Sequence, residues 1–227
     1  MRVFVAGGTG ALGRRLVPQL VARGHEVTAT TRSADKAGHI AALGARPAVV
    51  DGLDGVAVGR AVAEAQPDAI VHQMTALAAE ADLRRFDRWF ATTNELRTAG
   101  TRHLLAAAQA TGVEKVVVQS YNGWTNVRSG GPVKTEDDPL DPDPPKWQRE
   151  TMAAIRFLER AVTEAPLTGV VLRYGGARRA STTSSTTSRR RSRSGCPTSP
   201  RRLARSRRCG CRCGSRARSL GRSWCAG

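Results

Sequence analysis

Apolar positions recur in two alternating rhythms from Met1 to about Gly176. Short unbroken runs such as Val3-Phe4-Val5-Ala6, Ile70-Val71 and Val116-Val117-Val118 alternate with longer stretches whose apolar residues return every three or four positions. The runs predict strands at Arg2–Ala6, Glu26–Thr30, Pro47–Val50, Ala69–His72, Lys115–Gln119 and Gly169–Leu172. The longer stretches predict helices at Leu12–Arg23, Asp35–Leu43, Gly55–Ala65, Thr93–Thr111 and Gln148–Glu164. Gly24 and Gly112 stand where two of these helices should stop. Strands that are apolar throughout need cover on both faces, and strict alternation with helices argues a doubly wound parallel sheet of the α/β, Rossmann type. The stretch Tyr121–Lys146, rich in Gly, Pro and Asp, is expected to be a long loop over the C-terminal edge of the sheet.

Past Gly176 both rhythms stop. The last 51 residues contain Leu203, Leu220 and Trp224 as their only large apolar side chains, and this region is expected to be a disordered basic tail. The predicted organisation is therefore a domain at 1–176 and a low-complexity tail at 177–227, with the fold truncated at the junction. Charge follows the same division. The whole chain is formally +17, but all 19 acidic residues lie at or before Glu164. The part through Gly176 is only +2, whereas the tail carries 15 arginines, no acid and all five cysteines. A genuine tail of this kind would bind a polyanion such as RNA by counterion release. Out-of-frame translation of GC-rich coding sequence yields the same residues, and the abrupt loss of every acid favours that origin, so a nucleic-acid partner is expected only if the tail is genuine. No run of 18 apolar residues predicts a membrane span, and a chain starting in its first strand leaves no room for a signal peptide, so cytoplasm is the expected location.

The first strand runs directly into Gly7-Gly-Thr9-Gly10-Ala11-Leu12-Gly13, followed by a helical pattern. Glycines permit a tight turn and a close approach of backbone, while the N-terminus of the helix offers free N–H groups and a partial positive charge to a pyrophosphate. Their place between strand and helix separates this motif from a glycine turn without a ligand.

The motif is similar to the fingerprint of extended and atypical short-chain dehydrogenase/reductases, the NAD(P)-dependent epimerase/dehydratase-like proteins, and the resemblance covers Met1–Gly176. It implies a dinucleotide held by Gly7, Thr9, Gly10, Ala11, Leu12 and Gly13. It further implies a cofactor contact from Arg32 after strand two, an adenine contact at Asp51-Gly52-Leu53, and a ribose wall at His72 to Thr75. Asn94 and Gly100-Thr101 resemble the family's long central helix, Ser120 and Tyr121 occupy its catalytic strand end, and Tyr174 lies in the turn against the nicotinamide. Thr30, Thr31 and Arg32 follow strand two where an acid would accept from a ribose 2′-hydroxyl, so NADP is expected over NAD. The alternative for Arg32 is a solvated surface side chain.

Hydride transfer in this superfamily relies on Tyr-x-x-x-Lys, in which the lysine keeps the tyrosine fit for proton transfer. The chain has two tyrosines, and the residues four positions on are Thr125 and Arg178. With Glu159 aligned to the family glutamate, Thr151 and Ile155 occupy the expected Tyr and Lys positions. Ser120 and Tyr121 are the remaining catalytic candidates, the latter aided by Lys134 or Lys146. Packing offers plainer roles for both, and for His72. Phe86, Trp89, Phe90, Trp124 and Trp147 would line a substrate pocket, and helix-face packing explains the first three equally well. Cys209-Gly-Cys211-Arg-Cys213 has the wrong spacing for a zinc knuckle, so no metal is expected.

The reading is an NAD(P)-binding protein of reductase or epimerase type, acting on a small carbonyl or sugar-nucleotide-like molecule, with a homodimer allowed by the resemblance. The alternatives are an NADP(H)-sensing module without turnover and a polyanion binder acting through the tail. Strand six is expected to be an unprotected edge, giving poor solubility and little turnover.

Overall fold

The computed structural model describes residues 1–77, 85–127, 129–131, 133–175 and 185–188. Six parallel strands form the sheet: β1 (Arg2–Ala6), β2 (Glu26–Thr31), β3 (Arg46–Val49), β4 (Ala69–His72), β5 (Lys115–Tyr121) and β6 (Thr168–Tyr174). A short seventh, β7 (Ser185–Ser188), closes the order β3-β2-β1-β4-β5-β6-β7. The strand order reverses direction between β1 and β4, and ligands of such sheets lie at that switch point, beyond the carboxyl ends of the strands.

Helices α1 (Gly13–Ala22), α2 (Ala37–Ala42), α3 (Gly55–Ala65), α4 (Phe86–Glu95), α5 (Thr101–Thr111) and α6 (Arg149–Glu164) connect the strands. On one face Phe4, Ile70, Val116 and Val118 pack with Val62, Leu104, Leu158 and Val162. On the other, Val3, Val5 and Val27 pack with Val17 and Ile40. Both faces of β1 are thereby buried, which explains its unbroken apolar run. Asp54 starts α3 by accepting from the N–H groups of Val56 and Ala57, both at 3.0 Å. Gly24 and Gly112 take φ +77° and +72° at the predicted stops.

Four expectations need correction. The central helix begins at Phe86, not Thr93, and a π-turn at Leu96–Gly100 divides it. The hydroxyls of Thr98 and Thr101 donate back to the carbonyls of Asn94 (2.9 Å) and Arg97 (2.7 Å) across this turn, a pattern that bends helices. The second helix starts with a 3-10 turn at Ala34–Lys36. Strand β5 continues through Ser120 and Tyr121, because backbone pairing with Arg173 and Tyr174 outlasts the apolar run. Finally, β6 is not the sheet edge: β7, within the predicted tail, pairs antiparallel with it from Val171↔Ser188 to Tyr174↔Ser185. An open strand edge needs only backbone donors and acceptors, which a Ser/Thr segment supplies without an apolar face. The rest of the predicted tail lies outside the described residues.

Candidate functional site

The glycine turn is fastened to the end of β2. Thr30 accepts the Gly7 N–H on its hydroxyl at 2.9 Å and the Gly8 N–H on its carbonyl at 2.9 Å. Gly7 has φ +97°, and a Cβ there would stand 2.8 Å from the Gln73 carbonyl group. At Gly13 a Cβ would stand 2.3 Å from the Gly7 oxygen, so the start of α1 lies directly on the turn. Gly10 differs: the only atom near its would-be Cβ is the Gly7 oxygen, at 3.3 Å. Its other side faces a cavity of about 210 Å³ whose walls include Thr31, Arg32, Lys36, Gly52 and Thr75. Helix α1 has no side-chain cap and no acid in its first turn, leaving its N-terminal dipole open to an anion.

Arg32 and Lys36 both border this cavity, and neither takes part in an ion pair among the described residues. Asp35, on the same turn, does not line it. Lys36 escaped sequence reading, although its spacing of one helical turn from Arg32 is a usable signal. Thr9 and Thr75 line the wall, while Ala11, Leu12, Asp51 and Leu53 do not. The Asp51 carboxylate accepts the Leu53 N–H at 3.0 Å and shapes a turn. That turn holds Gly52 so near Met74 that a Cβ would stand 2.3 Å from its sulfur.

His72 is not a free ring for a ligand. It is 2% exposed; Nε2 donates to the Leu96 carbonyl at 3.3 Å and Nδ1 accepts the Met74 N–H at 3.2 Å. Burial pulls its pKa from 6.5 down to about 4, the Leu96 bond opposing and the Arg97 charge assisting. Above pH 6.5 both folded and unfolded chains hold it neutral; below that, only the unfolded chain gains a proton. Stability is therefore expected to fall as pH drops from about 6.5 toward 4, by on the order of 3 kcal/mol in all from this group. Urea midpoints between pH 7 and pH 5 check this, and H72Q should flatten the slope.

The second half of the site lies at the ends of β5 and β6. Ser120, 1% exposed, donates its hydroxyl to Glu159 at 2.6 Å, and Arg173 grips the same carboxylate at 2.9 and 2.7 Å. In this arrangement the Ser120 hydroxyl is engaged by Glu159 inside the chain. Thr151 and Ile155 are buried at 0% and 1%, with Asn94 donating to Thr151 at 3.1 Å. The family's Tyr and Lys positions are thus core positions here, and Asn94 braces α4 against α6. Lys134 pairs with Asp138 at 3.7 Å, so it does not serve Tyr121. Tyr174 is half-buried, which pushes its phenol up against the opposing bond with Gln73. The aromatic side chains gather around Phe86, with Phe90 at 4.6 Å, Trp147 at 4.9 Å and Trp124 at 5.5 Å between ring centroids. They pack on one another. Arg97, which sequence reading passed over, is buried beside them at 6% exposure.

A family model described as NAD(P)H-binding matches residues 7–205. The chain belongs to that family. It is 45% identical to a 3-diazoavenalumate denitrifying reductase from a Streptomyces species over 77% of this chain and 56% of the relative. It is 34% identical to a dTDP-4-dehydrorhamnose reductase from Streptomyces griseus over 76% of this chain and 48% of the relative. Among solved structures it is similar to the UDP-glucose 4-epimerase of Thermus thermophilus in complex with NAD. That match has a TM-score of 0.61 and 30% identity, and it covers 76% of this chain and 54% of the epimerase. An NAD-bound short-chain dehydrogenase/reductase from Agrobacterium tumefaciens gives a TM-score of 0.56 at 27% identity, covering 75% of this chain and 48% of that one. The chain spans about half the length of the relatives it matches.

The nicotinamide dinucleotide of the NAD(P)H-binding family fits the residues present. Gly10 leaves open the face that a side chain would close, the helix start carries no acid, and two cations without an ion pair among the described residues flank the cavity. Gly7–Gly13 would hold its pyrophosphate and Thr75 would flank it, and when bound it supplies hydride chemistry. No helix among the described residues is long and apolar enough to cross a membrane.

Proposed function

We propose that this chain carries the dinucleotide-binding half of an NADP(H)-dependent reductase acting on a small electrophilic molecule such as a carbonyl compound. The observation that carries the cofactor choice is the placement of Arg32 and Lys36 together on the cavity beyond β2, with no acid among the described residues of its wall. A 2′-phosphate would meet two cations there, whereas a bare ribose would find no carboxylate to accept from its hydroxyl. The reductase names of two relatives support the direction of the chemistry. Fluorescence titration of the full chain is expected to show NADPH binding at least about tenfold tighter than NADH. The double variant R32E/K36E should erase that preference while leaving NADH affinity nearly unchanged. Equal binding of the two dinucleotides by the wild type would remove the NADP assignment.

A second reading, a dinucleotide sensor without turnover, draws on the burial of Thr151 and Ile155 and on the commitment of the Ser120 proton to Glu159. NADPH binding together with failure to oxidise it against a broad carbonyl panel would favour the sensor.

A further inference from the structure

We propose that Met74 is an oxidation site, and that its conversion to the sulfoxide by a peroxide closes the dinucleotide cavity to its ligand. This rests on the dinucleotide-binding reading above.

Met74 follows β4 by two residues and lines the cavity with Val50 and Leu96, the other large apolar residues of its wall. Two glycines make room for its side chain. A Cβ at Gly52 would stand 2.3 Å from the Met74 Sδ and 2.9 Å from its Cε, and a Cβ at Gly100 would stand 3.2 Å from that Cε. Leu96 bounds the same slot, a Cδ atom lying 3.2 Å from the first of these positions and 3.7 Å from the second. The thioether therefore fills the place that a side chain at position 52 would take. The backbone on both sides is held. The Gly52 carbonyl accepts from His103 Nδ1 at 3.2 Å, and the Met74 N–H donates to His72 Nδ1 at 3.2 Å. What is left to move is the Met74 side chain.

An unbranched, apolar thioether suits such a slot. Its sulfoxide does not, because oxidation adds a strongly accepting oxygen to the sulfur. The atoms that bound the slot are the backbone of Gly52 and Gly100 and the Leu96 side chain, and the nearby Gly52 carbonyl is itself an acceptor. An S–O dipole without a donor is costly in such surroundings. The oxidised side chain is therefore driven out of the slot toward the cavity, whose volume is only about 210 Å³. There it takes up space the dinucleotide needs. The chain has three methionines, and Met74 alone combines access with this position. Met74 is partly buried on the cavity wall, whereas Met152 is 0% exposed within α6. Met1 is exposed, but it precedes β1, and the cavity lies beyond the other end of that strand.

In the oxidation step the Met74 sulfur attacks one oxygen of the peroxide. The O–O bond breaks, an S–O bond forms, and hydrogen peroxide leaves its second oxygen as water. The sulfur is oxidised by two electrons and the peroxide is reduced by the same two.

Hydrogen peroxide treatment of the full chain, followed by peptide mass spectrometry, reads the modification without any dinucleotide present. Met74 is expected to gain one oxygen at least about tenfold faster than Met152. NADP⁺ present during treatment should slow the reaction at Met74 and leave that at Met1 unchanged. Fluorescence titration of the treated protein, freed of peroxide, should show NADPH binding at least about tenfold weaker than before, and methionine sulfoxide reductase should restore it. The variant M74L should bind NADPH with the same affinity before and after treatment, whatever that affinity is. Unchanged NADPH binding by protein fully oxidised at Met74 overturns the proposal. So does an equal loss of binding in treated M74L, where the five cysteines are the remaining reactive targets. The two readings fail separately: slow oxidation of Met74 sinks the modification site alone, whereas untreated wild type that binds neither NADPH nor NADH sinks the dinucleotide reading and the closure with it.

Discussion

Alanine at Gly13 is expected to destabilise the fold by more than about 3 kcal/mol, while alanine at Gly10 leaves stability nearly unchanged and weakens dinucleotide binding at least about tenfold. The two glycines lie three residues apart in one motif, and contact geometry separates them. At Gly13 the added carbon would stand 2.3 Å from the Gly7 oxygen and 2.6 Å from the Gly8 oxygen, backbone atoms of a turn whose N–H groups Thr30 holds. Neither can move without lifting α1 from β1 or breaking the turn. At Gly10 the carbon meets one atom among the described residues, at 3.3 Å, and the residue itself lines the cavity. The cost then falls on the ligand, which must come close to the backbone to use its N–H groups. Chemical denaturation of both variants, followed by NADPH titration of G10A, measures the two effects. If G10A unfolds like G13A, the cavity is not what selects glycine at position 10.

How legible this was in the sequence depended on how local the determining interactions are. Gly55–Ala65 and Ala69–His72 form over the residues their patterns mark, because a capping aspartate and an apolar run act within a few positions. The start of α4 was harder to place, although Phe86, Trp89 and Phe90 have helical spacing, because large aromatics fit a pocket wall as readily as a packed helix. The end of β5 was missed for a different reason: Ser120 and Tyr121 are held in the strand by partners on β6, far away in sequence. Within the site, the glycine turn was legible because its chemistry is backbone chemistry. Arg97 was not, since an arginine in a helix reads as a solvated face until the fold buries it. Glu159 showed in the sequence as an alignment anchor, but its grip on Ser120 and Arg173 emerges only when α6 lies across β5 and β6.

Removing the Glu159 carboxylate is expected to be the most damaging change at the second half of the site. E159A leaves Arg173 largely buried and unpaired and deprives Ser120 of its acceptor, at a cost of about 3–5 kcal/mol. S120A removes one hydrogen bond but keeps the ion pair, costing about 1–3 kcal/mol, and E159Q should fall between the two. The contrast tests more than stability. If Ser120 serves mainly to dock α6 on β5, S120A should retain NADPH affinity and, on any substrate the wild type reduces, most of its turnover. A loss of about a hundredfold or more in kcat for S120A would place Ser120 in the catalytic group. The geometry favours the docking role, since the hydroxyl donates at 2.6 Å to a carboxylate that a guanidinium already clamps. The strand end therefore divides its labour by face. Ser120 ties the sheet to α6, whereas Tyr121, one residue on, stands on the opposite face of the strand and is only partly buried.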